Sequence, residues 1–71
     1  MLKKYLVVLS NSDKFQVLKS INQFKGARIN DVNIFGTEMA LLITVFENEE
    51  EFLSIISKAN RIVGEELIKV G

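Results

Sequence analysis

Two short polar stretches hold most of the side chains that chemistry could use: SNSD at 10–13 and ENEEE at 47–51. Glu47, Glu49, Glu50 and Glu51 have the charge to hold Mg²⁺ or Ca²⁺. Their spacing lacks the alternating oxygen ligands and central glycine of a calcium loop. A run of carboxylates just before an apolar-periodic segment has a plainer use, neutralising the positive end of a helix dipole. Asn48 followed by Glu51 also has the spacing of a capping box. The chain has no histidine and no cysteine, so Ser-His, Cys-His and His-metal constellations cannot be built. No catalytic residue, metal site or cofactor is expected.

SNSD falls where an apolar strand ends and a helix begins. Backbone amides at such a junction can bind a carboxylate or another anion. The same residues also suit a plain capping turn, with Ser12 accepting from free amides and Asp13 at the positive end of the dipole. Gly26 and Gly36 are too isolated to form a phosphate-cradling loop.

Six elements are expected to position these stretches. KKYLVVL (3–9) is β-rich and apolar on both sides, as a buried strand should be. From Asp13 to Lys25, Val17, Leu18, Ile21 and Phe24 form one helical stripe, with Gly26 expected to end it in the left-handed conformation. DVNIF (31–35) alternates, Val32 and Ile34 against Asp31 and Asn33, which is the pattern of a half-exposed strand. Gly36-Thr37 then makes a tight hairpin turn, and EMALLITVF (38–46) is a second strand apolar on both sides. A helix starting at Asn48 buries Phe52, Ile55, Ile56, Ala59 and Val63, and Gly64 closes it. EELIKV (65–70) is the last strand. The order βαββαβ predicts one α+β domain over 1–71, a ferredoxin-like sandwich with antiparallel sheet order 4-1-3-2 and both helices on one face. The unbroken apolar strands suit the two central positions, and the mixed ones suit the edges.

That layout leaves a face to be explained. Along the central strands, Tyr5, Val7, Leu9, Met39, Leu41, Ile43 and Val45 oppose Leu6, Val8, Ala40, Leu42, Thr44 and Phe46. Whichever set meets the helices, an apolar set stays on the other side, and contiguous apolar patches beyond a few hundred Å² mark interfaces. A chain of 71 residues without cysteine has no disulfide to compensate for a small core. Self-association is the remaining staple. We therefore expect a homo-oligomer, a dimer or larger, whose interface uses one face of the sheet or the other, with Tyr5, Val7, Leu9, Met39, Leu41, Ile43 and Val45 as the candidate set. An ordinary apolar surface is the competing explanation.

Charge is balanced overall but uneven along the chain. Residues 1–30 carry six Lys and Arg against Asp13 alone, and residues 31–71 carry three against eight Asp and Glu. This distribution fits a solvated surface, or opposite patches meeting between subunits. An RNA platform would need rings on both central strands. Tyr5 qualifies on the first, but the second offers Met39, Leu41, Ile43 and Val45 before Phe46. With zero net charge as well, no direct nucleic-acid partner is expected. The apolar run Tyr5 to Leu9 is too short for a secretory core, and no stretch reaches a membrane span of about 20 residues. The expectation is a soluble, cytoplasmic protein.

VVLSNSDKFQVLKSINQF…NDVNIF resembles the ACT-like group of small ligand-sensing modules, which read as a hydrophobic strand, an Asp-containing turn, a helix and a "gvnI" strand. Lys14-Phe15 stands where those domains carry Pro-Gly. FGTEMALLITV is similar to the stand-alone effector domains of leucine-responsive regulators, with Glu38-Met39 replacing an aromatic-Asp pair. The resemblance implies a dimeric regulatory module that binds an amino acid or another small metabolite between subunits. By the same resemblance, Asn11, Ser12, Asp13, Gly36 and Thr37 are the candidate ligand contacts. A ligand-free assembly or adaptor domain is the alternative. An enzyme would have to work with carboxylates, lysines, Tyr5 and hydroxyls alone.

Overall fold

In the computed structural model, which describes residues 2–57 and 61–66, the elements run β1 (Lys3–Leu9), α1 (Lys14–Gln23), β2 (Ala27–Phe35), β3 (Glu38–Val45), α2 (Glu49–Ile55) and β4 (Arg61–Glu66). Every strand pairing is antiparallel. The sheet order is β2-β3-β1-β4, so the two unbroken apolar runs are the inner strands. The architecture is α+β, an antiparallel sheet with one hairpin (β2–β3), its other two pairings made between non-consecutive strands, and two short helices.

Strand register decides which side chains form the core. With Tyr5 opposite Ile43 and Val7 opposite Leu41, the odd-numbered residues of β1 and β3 share one face. There Tyr5, Val7, Leu9, Met39, Leu41, Ile43 and Val45 join Val17 and Ile21 of α1 and Phe52 and Ile56 of the α2 region in one buried cluster. Both helices thus cover the odd-numbered face. This corrects the interface expectation for Tyr5, Val7, Leu9, Met39, Leu41, Ile43 and Val45. All seven are at most 5% exposed, shielded from a second subunit by the chain's own helices. The face without helices belongs to Leu6, Val8, Ala40, Leu42 and Thr44, with Phe46 just past the end of β3.

The helix starts differ from expectation. Asp13, not Ser12, is the N-cap of α1, and no side chain caps it. Backbone closes the turn instead: the amides of Gln16 and Val17 donate to the Asp13 carbonyl at 3.0 and 3.1 Å. At α2 the N-cap Asn48 sits in the left-handed region (φ 57°, ψ 49°) and makes no side-chain cap. The expected capping box with Glu51 is absent, because that box needs an extended N-cap backbone to aim the side chain over the first turn. Glu49, Glu50 and Glu51 do fill the first turn of α2, where carboxylates complement the dipole.

Gly26 has a role other than the expected left-handed stop, since among the described glycines only Gly36 has positive φ. Its carbonyl accepts from the amides of Phe46 at 2.9 Å and Glu47 at 3.2 Å. A Cβ at Gly26 would lie 2.3 Å from the Glu47 carbonyl oxygen and 2.8 Å from the Phe24 ring. Glycine is therefore needed for the close approach of two chain segments. Gly36, at φ +62° and followed by Thr37 at ordinary φ, has the dihedral pattern of a two-residue II′ hairpin.

β2 begins at Ala27, earlier than the alternation of 31–35 suggested, and it contains a bulge. Ile29 faces Ile43 while Asp31 faces Leu42, leaving Asn30 as the extra residue. Asn30 donates from Nδ2 to Thr44 Oγ1 at 2.6 Å. The bulge resets the phase by one residue, so Ala27, Ile29, Val32 and Ile34 all point to the helix side.

The carboxyl end departs most. α2 stops at Ile55, so Val63 and Gly64 are not part of it. They belong to β4, where Val63 faces Leu6 and Gly64 faces Tyr5. The strand begins four residues before the expected Glu65. Ile55, Ile56, Ala59 and Val63 fit a helical spacing, but pairing to β1 overrides that periodicity. Ala59 and the expected strand residues 67–70 lie outside the described residues.

Candidate ligand site at the turn end of the sheet

Leu9, the last residue of β1, faces Met39 near the start of β3. The loop that follows Leu9 and the turn that precedes Glu38 therefore emerge at the same end of the sheet. Asn11, Ser12, Asp13, Gly36 and Thr37 share that end, all exposed except the half-buried Asp13. The loop is already engaged with its own backbone. The Lys14 amide donates to the Asn11 carbonyl at 3.1 Å, and those of Gln16 and Val17 go to Asp13. The Lys14 and Gln16 amides, two of the free donors at the start of α1, are thus turned onto the loop's own carbonyls instead of towards an anion.

Of the five expected contacts, Asp13 reaches a groove of about 230 Å³ between the helices, with Gln16, Val17 and Ser20 on one wall and Ser54, Ile55 and Ser57 on the other. One carboxylate, three hydroxyls and a carboxamide over an apolar floor suit a small ligand carrying an ammonium or hydroxyl group. Gly36 and Thr37 take no part in this groove.

A second polar cluster joins β1 to the start of α2. The Tyr5 phenol donates to Glu49 Oε2, and Lys3 Nζ lies 3.0 Å from the same oxygen. The Tyr5 ring rests against Phe52, with centroids 5.1 Å apart and planes tilted by 51°. Burial, reinforced by the Glu49 carboxylate, pushes the phenol up to about 12 from its usual 10.0. The bonds from Tyr5 and then Lys3 hold the Glu49 carboxyl below its usual range. A phenol kept neutral beside a carboxylate kept charged is a structural clamp, poorly suited to proton transfer near pH 7. Sequence reading passed over this cluster. Its one signal was Tyr5 within an apolar strand, since a buried phenol needs a hydrogen-bond partner, but nothing in the spacing selected Glu49 from its neighbours.

Among the described residues no group of three acidic side chains is placed to hold a metal ion. No described helix is long and apolar enough to cross a membrane. The fold and its surfaces define a small α+β domain with one helix-free sheet face. No protein-family model, curated protein or solved structure matches this chain.

Proposed function

We propose that this chain is a non-enzymatic regulatory or sensory domain with the ferredoxin-like, ACT-like layout. It homo-oligomerises through its helix-free sheet face or its strand edges and binds a small metabolite, such as an amino acid, at the subunit interface. The observation that carries this reading is the helix-free face. Leu6 and Phe46 stay 38% and 39% exposed there, beside the half-buried Ala40 and Leu42 and around Val8, which is 8% exposed, on a domain too small to leave apolar area unused. The Asp13 groove lies on the opposite, helix side of the sheet, so a ligand at that interface rests on the turn-end residues Asn11, Ser12, Gly36 and Thr37.

Light scattering over a dilution series tests the assembly, and a thermal-shift panel of amino acids and nucleotides tests the ligand. Dimers or larger species and a selective rise in Tm are expected. A stable monomer at high micromolar concentration would overturn the assembly. A second reading, a ligand-free assembly or adaptor domain, is favoured by the inward-turned amides at Lys14 and Gln16. It predicts a concentration-dependent Tm with no response to any small molecule.

A further inference from the structure

β2 closes one end of the sheet order, so among the described residues its outer edge pairs with no strand. The Asn30 bulge interrupts that edge and leaves Asp31–Phe35 as a regular segment. Phe35 and Glu38 flank a two-residue turn and form a hydrogen-bonded pair. Alternation then turns the backbone groups of Val32 and Ile34 outward. The Val32 amide confirms this direction: it donates to its neighbour's carboxylate, Asp31 Oδ1, at 3.0 Å, instead of to β3.

The side chains on this edge are as unfinished as its backbone. Val32 is 42% exposed, and Ile34 and Phe35 are both 64% exposed. An apolar groove of about 530 Å³ runs between β2 and α1, lined by Phe15, Leu18, Ile29 and Val32 with Lys19 and Asn22. Long apolar edges are what soluble proteins avoid or pair.

We propose that Asp31–Phe35 of β2 pairs antiparallel with the same segment of a second copy about a two-fold axis at Asn33, seating the partner's Ile34 beside this groove. The register is self-complementary. Val32 meets the partner's Ile34, both on the helix side and both with outward backbone groups. Asp31 meets the partner's Phe35 on the other face, so the carboxylates do not oppose each other. Asn30 falls at the partner's Gly36, where the strand ends, which puts the bulge outside the paired segment. The Asp31 carboxylate holds the Val32 amide until the partner's Ile34 carbonyl replaces it. Pairing the edges also joins the two helix-free faces into one continuous surface. This inference rests on the self-associating reading above and names its contact surface.

At the axis, Asn33 faces its own copy as a non-hydrogen-bonded pair, whose Cα atoms lie about 4.5 Å apart, within reach of a disulfide. The chain has no native cysteine, so Asn33→Cys gives a single reporter. Under oxidised glutathione it should form a covalent dimer at least about tenfold faster than Gln23→Cys, an exposed position at the end of α1. Adding Ile34→Lys should slow that reaction back to the control rate while the circular dichroism stays native. If the unmodified protein scatters as a dimer but Asn33→Cys links no faster than Gln23→Cys, the edge pairing is wrong and the self-associating reading stands. If the unmodified protein is monomeric throughout the dilution series, both fall.

Discussion

The two faces of the sheet are built from the same two strands, one residue out of phase. On the helix side, Val7, Leu41, Ile43 and Val45 are completely buried. On the other side, Leu6, Ala40 and Leu42 of the same strands remain partly or substantially open. Composition does not separate them, since both faces are aliphatic. What differs is the cover: Val17, Ile21, Phe52 and Ile56 close one face, whereas no described helix covers the other, where Val8 is the one inner-strand residue that is buried. Apolar character in a strand therefore reports the capacity to be buried, and the helices decide how much of that capacity one copy uses.

A charge placed on each face should break the comparison most sharply. Ile43→Glu buries an unpaired carboxylate in the cluster and should cost on the order of 5 kcal/mol. A domain of this size holds only about 4–10 kcal/mol, so this variant is expected to be unfolded by circular dichroism. Leu42→Glu, one residue along, should keep the native spectrum; light scattering shifts towards monomer where the helix-free face carries the contact and stays unchanged where the β2 edge carries it. If both variants unfold, the two faces are not different in kind.

Within the covered face, Phe52 is the largest fully buried side chain, and it touches the rings of Tyr5 and Phe24. Phe52→Ala should lower stability by about 3–5 kcal/mol in urea unfolding. Gly26→Ala tests the margin of the same core, where the added Cβ meets backbone and must push it aside. A loss of about 1–3 kcal/mol is expected. Gly36→Ala meets open space and should cost only about 1–2 kcal/mol, from φ alone. Equal losses at the two glycines would mean that close approach at Gly26 is not what selects glycine there.

Much of the inner sheet was legible because its signal is local. The apolar runs 3–9 and 38–46, the turn at Gly36-Thr37 and the Val17–Ile21 stripe each need only a few neighbouring residues to be recognised. The misses depend on distant partners. Val63 looks helical until β1 is present to pair with it at Leu6. Gly26 looks like a helix stop until Glu47 is known to pass beside it. Which face of β1 is buried could not be read from alternation, since Tyr5 and Leu6 are both apolar, and so the interface set was assigned to either face. The candidate ligand residues were legible as a shared end of the sheet, through strand order. Whether they form one pocket depends on how α1 and α2 meet, and of the five only Asp13 faces that groove.

The smallest expected effect separates the faces by titration, and Tyr5 makes it clean because it is the only tyrosine. Its phenol is raised to about 12 in the folded chain against 10.0 for the free group. The folded state therefore holds the proton more tightly. Its contribution to stability is complete below pH 10 and declines as pH rises from about 10 towards 12. Glu49 has the opposite sense, because its carboxyl is lowered. Its contribution is complete above the usual 4.5 and is lost as pH falls through the lower folded value. Phenolate absorbance of the native protein should show its midpoint well above 10. Glu49→Gln leaves an amide oxygen for the phenol but removes the charge, so the midpoint should fall while burial keeps it above 10. A wild-type midpoint at 10 in protein that is still folded would mean that Tyr5 is wetted, and that the helix side is less closed at this end than its packing indicates.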